Sequence, residues 1–309
     1  MAFTTIVRAT HALQVPCNWS LISGRCAPLA VEVGFGNGEF LAKACLQYPD
    51  WNWVGFETSL TCVTKAARKL AAAGATNVRL VLTDGKFALR ELFADESVHR
   101  VYVHFPCPWP KARHAHRRLV DREFVCILSG VLAPQGEFVL VTDVQDYARQ
   151  SAGLLQENGF AVQGPEVVPQ RGPGTRYEVR WRKFGRTIWR LVARRGPKGQ
   201  VHRIAEGAVP HAKVPVPFDP HRSLAQLTGL KEAWGGGAFF VKEGFLSPDG
   251  KSTLFRSFAT DGDFQQQYFL LVVREKGGTM VKLDEATLPF RTPAVKRSVL
   301  ACAKRLEER

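Results

Sequence analysis

A chain of 309 residues with 45% hydrophobic and 23% charged side chains has the composition of a folded globular protein and the length of two ordinary domains. Its 42 lysines and arginines against 28 acids give a formal charge of +14, which favours a polyanionic partner, nucleic acid ahead of anionic membrane. No run approaches the roughly 20 apolar residues that span a bilayer. Arg8 interrupts the N-terminal apolar stretch where a secretory signal needs continuity. The seven cysteines (17, 26, 45, 62, 107, 126 and 302) are scattered without a CxxC pair, which argues against a disulfide framework and against a metal site. The expected setting is the cytoplasm, with reduced thiols and no membrane partner.

From about residue 28 to 143, short apolar runs alternate with helix-like segments. Strands are predicted at Leu29–Val33, Trp53–Phe56, Val78–Leu82, Val101–Phe105 and Glu137–Val141. Helices are predicted at Glu39–Gln47, Leu60–Ala73, Lys86–Phe93, Arg118–Leu132 and Gln145–Glu157, the last ending at Asn158-Gly159. Such alternation implies an α/β fold, a doubly wound, mostly parallel sheet whose ligands bind at the carboxyl ends of the strands. Residues 160–195 continue this domain. After Gly196-Pro197-Lys198-Gly199 the texture changes. Phenylalanine-rich alternating runs from about Ala238 to Leu283, broken at Pro248-Asp249-Gly250, Asp261-Gly262-Asp263 and Gly277-Gly278, read as an antiparallel meander. A helical tail follows over about 293–308. The expected division is 1–199 and a small C-terminal α+β domain over 200–309, in which no motif carries chemistry.

The first strand runs into Val31-Glu32-Val33-Gly34-Phe35-Gly36-Asn37-Gly38, a turn whose glycines let a ligand approach the backbone. The spacing is GxGxG rather than the GxGxxG of a dinucleotide site, which favours a smaller adenosine ligand and makes a nicotinamide dehydrogenase the weakest reading. Glu57 closes the second strand, where a carboxylate accepts from both ribose hydroxyls. Asp84 follows the third strand, placed to accept from an adenine amino group. Singly, each acid reads as a loop cap. Together, in this order, they resemble the class I S-adenosylmethionine methyltransferases, Rossmann-like in fold.

The fourth strand opens into Phe105-Pro106-Cys107-Pro108-Trp109-Pro110-Lys111-Ala112-Arg113-His114, followed by His116-Arg117-Arg118. Three prolines in five residues stiffen the turn. An aromatic, Trp109, sits beside the cations Lys111, Arg113, Arg117, Arg118 and Arg122, a combination suited to a base and its phosphates. Trp109 either stacks near the base or packs as a structural tryptophan. Farther on, Arg171, Arg176, Arg180, Arg182, Lys183, Arg186, Arg190, Arg194 and Arg195 face Glu178 alone within their stretch, which predicts a phosphate-tracking surface.

With these motifs, plus Gly55-Phe56-Glu57, Thr142-Asp143 with Tyr147, and Thr175-Arg176-Tyr177-Glu178, residues 28–195 resemble the bacterial tRNA (guanine-N7-)-methyltransferases. The resemblance implies methyl transfer from S-adenosylmethionine to the guanosine at position 46 of the tRNA variable loop. It implies a cofactor site of Glu32, Gly34, Gly36, Glu57 and Asp84. It sets Lys111, Arg113, His114, Arg117, Arg118 and Arg176 toward tRNA, the two arginines 117 and 118 on phosphates. Asp143, Thr175 and Glu178 line the guanine and methionine end. The family's loop normally reads Phe-x-Asp-Pro-Trp-Pro-Lys, with its Asp in the active site; here that position is Cys107. The position thus remains a catalytic candidate with Asp143 and Glu178, and reduced or retuned activity is expected rather than a new mechanism. A tRNA-binding protein that has lost the chemistry, and a methyltransferase acting on another RNA, fit the same residues. Oligomeric state, monomer or homodimer, is open at this point.

Overall fold

The computed structural model describes residues 6–8, 13–169, 175–205 and 207–308. The chain divides into two compact units, Met1–His202 and Arg203–Arg309. Among the described residues no helix is long and apolar enough to cross a membrane.

The first unit is built on eight strands: β1 (Val7–Arg8), β2 (Leu29–Val33), β3 (Asn52–Glu57), β4 (Val78–Leu82), β5 (Val98–His104), β6 (Leu132–Thr142), β7 (Ala161–Val167) and β8 (Trp189–Arg194). Among the described residues the helices that accompany them are α1 (Trp19–Ser23), α2 (Glu39–Gln47), α3 (Leu60–Ala72), α4 (Gly85–Leu92), α5 (Arg122–Val131), α6 (Gln145–Glu157) and α7 (Arg176–Lys183). The strands lie in the order β1-β4-β3-β2-β5-β6-β8-β7. All neighbours are parallel until β8, which pairs antiparallel with both β6 and β7. Every residue of β2 is buried, as are Asn52–Phe56 of β3 and Val78–Val81 of β4. Strands covered on both faces need continuous apolar sequence, which is why these runs stand out without alternation. Helices α2 and α3 cover one face through Leu41, Cys45, Val63, Ala67 and Leu70, packed with Trp53 and Leu80.

The strand order reverses between β2 and β5, and this switch point opens a crevice at their carboxyl ends. The glycine turn after β2 and the proline loop after β5 both leave the sheet at that end.

One predicted helix is corrected. The segment 118–121 is not helical: a 3₁₀ segment occupies Ala112–Arg117, and α5 starts only at Arg122. Asp121 sets that start, its side chain accepting from the Phe124 N–H at 2.8 Å. Leu132 leaves the helix and begins β6.

The second unit is a six-stranded antiparallel sheet in the order β10-β11-β12-β13-β14-β9. Its strands are β9 (Ala212–Val214), β10 (Lys231–Trp234), β11 (Gly237–Leu246), β12 (Ser252–Asp261), β13 (Phe264–Glu275) and β14 (Gly278–Leu283), with helices α8 (Pro220–Leu227) and α9 (Pro293–Glu307). Strand β12 buries alternate residues, Thr253, Phe255, Ser257 and Ala259. Helix α9 turns Val295, Val299, Cys302 and Leu306 into the same core, at helical spacing.

Candidate active site at the switch point of the sheet

The backbone brings the predicted cofactor residues onto adjacent strand ends. The Gly34 N–H donates to Phe56 O at 2.8 Å, and the Thr83 N–H donates to Glu57 O at 3.0 Å. The glycine turn, Glu57 and Asp84 therefore follow one another across β2, β3 and β4. Glu57 reaches over the glycine turn: its Oε2 accepts from the Gly36 N–H at 3.0 Å, while Oε1 accepts from the N–H groups of Thr58 and Ser59. Gly34 and Gly36 hold φ of +73° and +55°, a region costly for a side chain. A methyl added to either would stand in open space, so the turn is a cradle with room above it. Asp84 caps α4, its Oδ1 accepting from the Phe87 N–H at 2.8 Å.

Glu32 sits lower, inside β2, and is 1% exposed. Its Oε1 lies 2.8 Å from His104 Nδ1 at the end of β5, and the His104 ring packs 4.3 Å from that of Phe40. Burial pushes the Glu32 carboxyl up, against the lowering contribution of His104. Its Oε2 is buried with no hydrogen-bond partner. A buried acceptor of that kind is costly unless a donor arrives from outside the chain. The cradle, the orphaned Glu32 oxygen and the acids at the strand ends fit the glycine-adjacent amine, ribose and base of an S-adenosyl cofactor.

The proline loop is held under strain. Phe105 and Trp109 take φ of +49° and +42° without being glycine. The Phe105 N–H donates to Val141 O at 2.7 Å, tying the loop to β6. Arg118 was expected on a phosphate; instead its guanidinium turns back into the protein. Nε donates to Pro108 O at 2.9 Å, Nη2 to Trp109 O at 3.1 Å, and Nη1 bonds Gln150. The group also lies over the Tyr147 ring. Tyr147 is buried, accepts from the Val120 N–H, and burial raises its phenol to about 12. Arg117 stacks on Trp109 with 5.1 Å to the ring centroid, and His114 lies on Trp109 too, at 5.9 Å. Lys111, Arg113 and Cys107 are exposed. Because Arg118 braces two carbonyls in a planar fork, Arg118→Ala should lower turnover at least about tenfold, since even one hydrogen bond to a charged group is worth ~1.5–3 kcal/mol. The slope of log tRNA affinity against log salt should stay unchanged; a slope reduced by about one would return Arg118 to a phosphate.

Asp143 follows β6, where its nearly buried carboxylate pairs with Arg186. Thr175 is the N-cap of α7, its hydroxyl accepting from the Glu178 N–H at 3.2 Å. The Thr-x-x-Glu box thus has a helix-starting role of its own. The Glu178 carboxylate is held by Arg182 at 2.9 Å, one turn along. Tyr177 and Phe105 lie 6.2 Å apart, joining α7 to the proline loop.

The basic run is less uniform than its sequence suggests. Arg171 lies outside the described residues. Arg182 pairs with Glu178, Arg186 with Asp143, Arg190 with Glu166, Arg194 with Glu137 and Arg195 with Glu96. Four of those acids come from outside the run, brought in by the sheet. Only Arg176, Arg180 and Lys183 lack a carboxylate partner among the described residues, and all three are on α7.

Sequence reasoning missed His104, and read Arg182 and Arg186 as cations for phosphate rather than as partners of Glu178 and Asp143. The i,i+4 spacing of Glu178 and Arg182 was a legible signal. His104 meets Glu32 only because β5 lies beside β2, and Arg186 meets Asp143 only through the β6–β8 pairing. All seven cysteines are free thiols, and among the described residues no group of three His, Cys, Asp or Glu side chains is placed to hold a metal ion.

Comparison with known proteins places this geometry in a family. The family model described as "Putative methyltransferase" matches residues 26–191. A tRNA (guanine-N(7)-)-methyltransferase of Thermotoga maritima is 40% identical, covering 92% of this chain and 91% of that protein. Proteins of the same name from Coprothermobacter proteolyticus and Thermus thermophilus are 33% and 31% identical, over 97% and 92% of this chain and 93% and 90% of their own lengths. Matches of that extent run into residues 203–309, so these relatives share sequence with the second unit as well. The chain belongs to the tRNA (guanine-N(7)-)-methyltransferase family.

Proposed function

We propose that this protein transfers the methyl group of S-adenosylmethionine to N7 of a guanosine in tRNA, at position 46 of the variable loop, in the cytoplasm. The observation that carries the reading is the Glu57 carboxylate drawn across an open glycine turn, in a chain whose preceding strand buries the unpartnered Glu32 oxygen. Glu57 would take the ribose hydroxyls, Asp84 the adenine amino group, and Glu32 the amino group of the methionine end. When bound, the cofactor supplies an electrophilic methyl on a sulfonium.

Guanine N7 carries a lone pair and no proton, so no base is needed to create the nucleophile. The protein's task is alignment, which can supply roughly 7–11 kcal/mol. The braced proline loop presents a rigid ledge with Trp109, Lys111, Arg113 and His114 for the RNA. Asp143 and Glu178 would accept hydrogen bonds from the N1–H and N2–H groups of guanine and favour the cationic product. Arg186 and Arg182 hold those carboxylates in place until then.

The test is mass spectrometry of nucleosides from unmodified tRNA incubated with the protein and labelled S-adenosylmethionine. Labelled 7-methylguanosine is expected, and it should vanish when guanosine 46 is replaced by adenosine. Label in another nucleoside, or none at all, would overturn the reading.

A further inference from the structure

We propose that α7 and the turn after it form a stacking surface for an unpaired nucleotide beside the methylated guanosine, centred on Trp181 and Phe184. This rests on the reading of the protein as an RNA methyltransferase. Helix α7 has apolar side chains yet buries none of its residues, whereas an amphipathic helix ordinarily turns its apolar stripe into the core. Tyr177 is 49% and Phe184 67% exposed. The Trp181 and Phe184 rings lie 6.2 Å apart. Arg186 stacks on Trp181 with 4.2 Å to the centroid, and Arg180 lies 5.3 Å from it.

Two contacts fix where this surface sits. Arg186 joins the Trp181 ring to Asp143 at the end of β6, and Tyr177 touches Phe105 of the proline loop. The surface therefore adjoins the residues assigned to the guanine. The three cations of the basic run that have no acidic partner among the described residues, Arg176, Arg180 and Lys183, share a side of the same helix, and Arg180 lies over both the Trp181 and the Phe184 ring.

Alternating rings and unpaired guanidinium groups match the faces and phosphates of single-stranded RNA. An anionic membrane fits worse. A helix of eight residues with four cations presents no continuous apolar face for hydrocarbon.

The experiment measures tRNA binding and methylation kinetics for Phe184→Ala, Phe184→Trp and Trp181→Ala. Phe184→Ala should weaken tRNA binding and raise its KM about tenfold, in the range that one base stack is worth. Cofactor affinity and the salt slope should not change, because no charge is removed, and Phe184→Trp should restore the loss. Phe184 is exposed, so its replacement leaves the fold intact by circular dichroism; Trp181→Ala should add to the effect. Unchanged tRNA affinity in Phe184→Ala overturns the proposal. So does a loss of binding to phosphatidylglycerol vesicles with tRNA affinity intact, which would assign the surface to membrane. Direct tRNA binding keeps the two readings apart: a wild-type protein that binds tRNA but forms no 7-methylguanosine sinks the proposed reaction while the stacking test still reads out.

Discussion

Glu57→Ala should weaken S-adenosylmethionine binding by at least about 100-fold while tRNA binding is retained. Two hydrogen bonds from ribose hydroxyls to a carboxylate are worth ~1.5–3 kcal/mol each, or ~3–6 kcal/mol together. The substitution also releases the N–H groups of Gly36, Thr58 and Ser59, which the carboxylate now holds. The glycine turn then loses one of its ties to the end of β3, keeping the Gly34 N–H bond to Phe56 O, as well as its acceptor. Glu57→Gln keeps the volume but presents a donor where two hydroxyls and three N–H groups require acceptors, so it should bind almost as weakly as the alanine variant. Isothermal titration calorimetry with S-adenosylmethionine reads both. Unchanged affinity in either would remove Glu57 from the cofactor site.

Cys107→Asp should raise turnover on unmodified tRNA by about 10-fold to 100-fold. The thiol stands exposed in the proline loop, between prolines that fix its backbone. A carboxylate there would accept from the guanine edge with a charged hydrogen bond, worth ~1.5–3 kcal/mol where it strengthens in the transition state. A thiol is a weak donor and a weak acceptor. Since methyl transfer to N7 needs no deprotonation, the present protein is expected to retain activity, carried by alignment and by Asp143 and Glu178. The decisive comparison is single-turnover methylation by the two proteins at saturating tRNA. A fall in Cys107→Asp would mean that the thiol itself is used.

The juxtaposition of the residues proposed for the cofactor was legible because it depends on chain order alone. Strands β2, β3 and β4 are buried on both faces and announce themselves as apolar runs, and the residues at their ends follow directly. The RNA half was less so. Arg118 reads as one more cation of a basic loop, and only the folded turn reveals that its guanidinium is committed to Pro108 and Trp109. Arg190, Arg194 and Arg195 read as free charge until β6, β7 and the loop before β5 supply Glu137, Glu166 and Glu96. Pairings between distant residues carry no local trace. Small elements also escaped: β1 has two residues and α1 five, too few to show a period. Helix α8 could have been found, since Asp219-Pro220 is a cap followed by a proline in the first turn, and Asp219 accepts from His221 and Arg222 N–H.

The left-handed residues Phe105 and Trp109 bracket a stretch whose prolines have already surrendered much of their freedom. Ordering a backbone residue costs roughly 1–2 kcal/mol, and along this ledge that cost is met during folding, before any RNA arrives. Docking of the proposed RNA substrate against it would therefore be closer to lock-and-key than to coupled folding. Selectivity among RNAs then depends on the shape of the incoming loop, since a poorly matched strand cannot be accommodated by letting this edge yield.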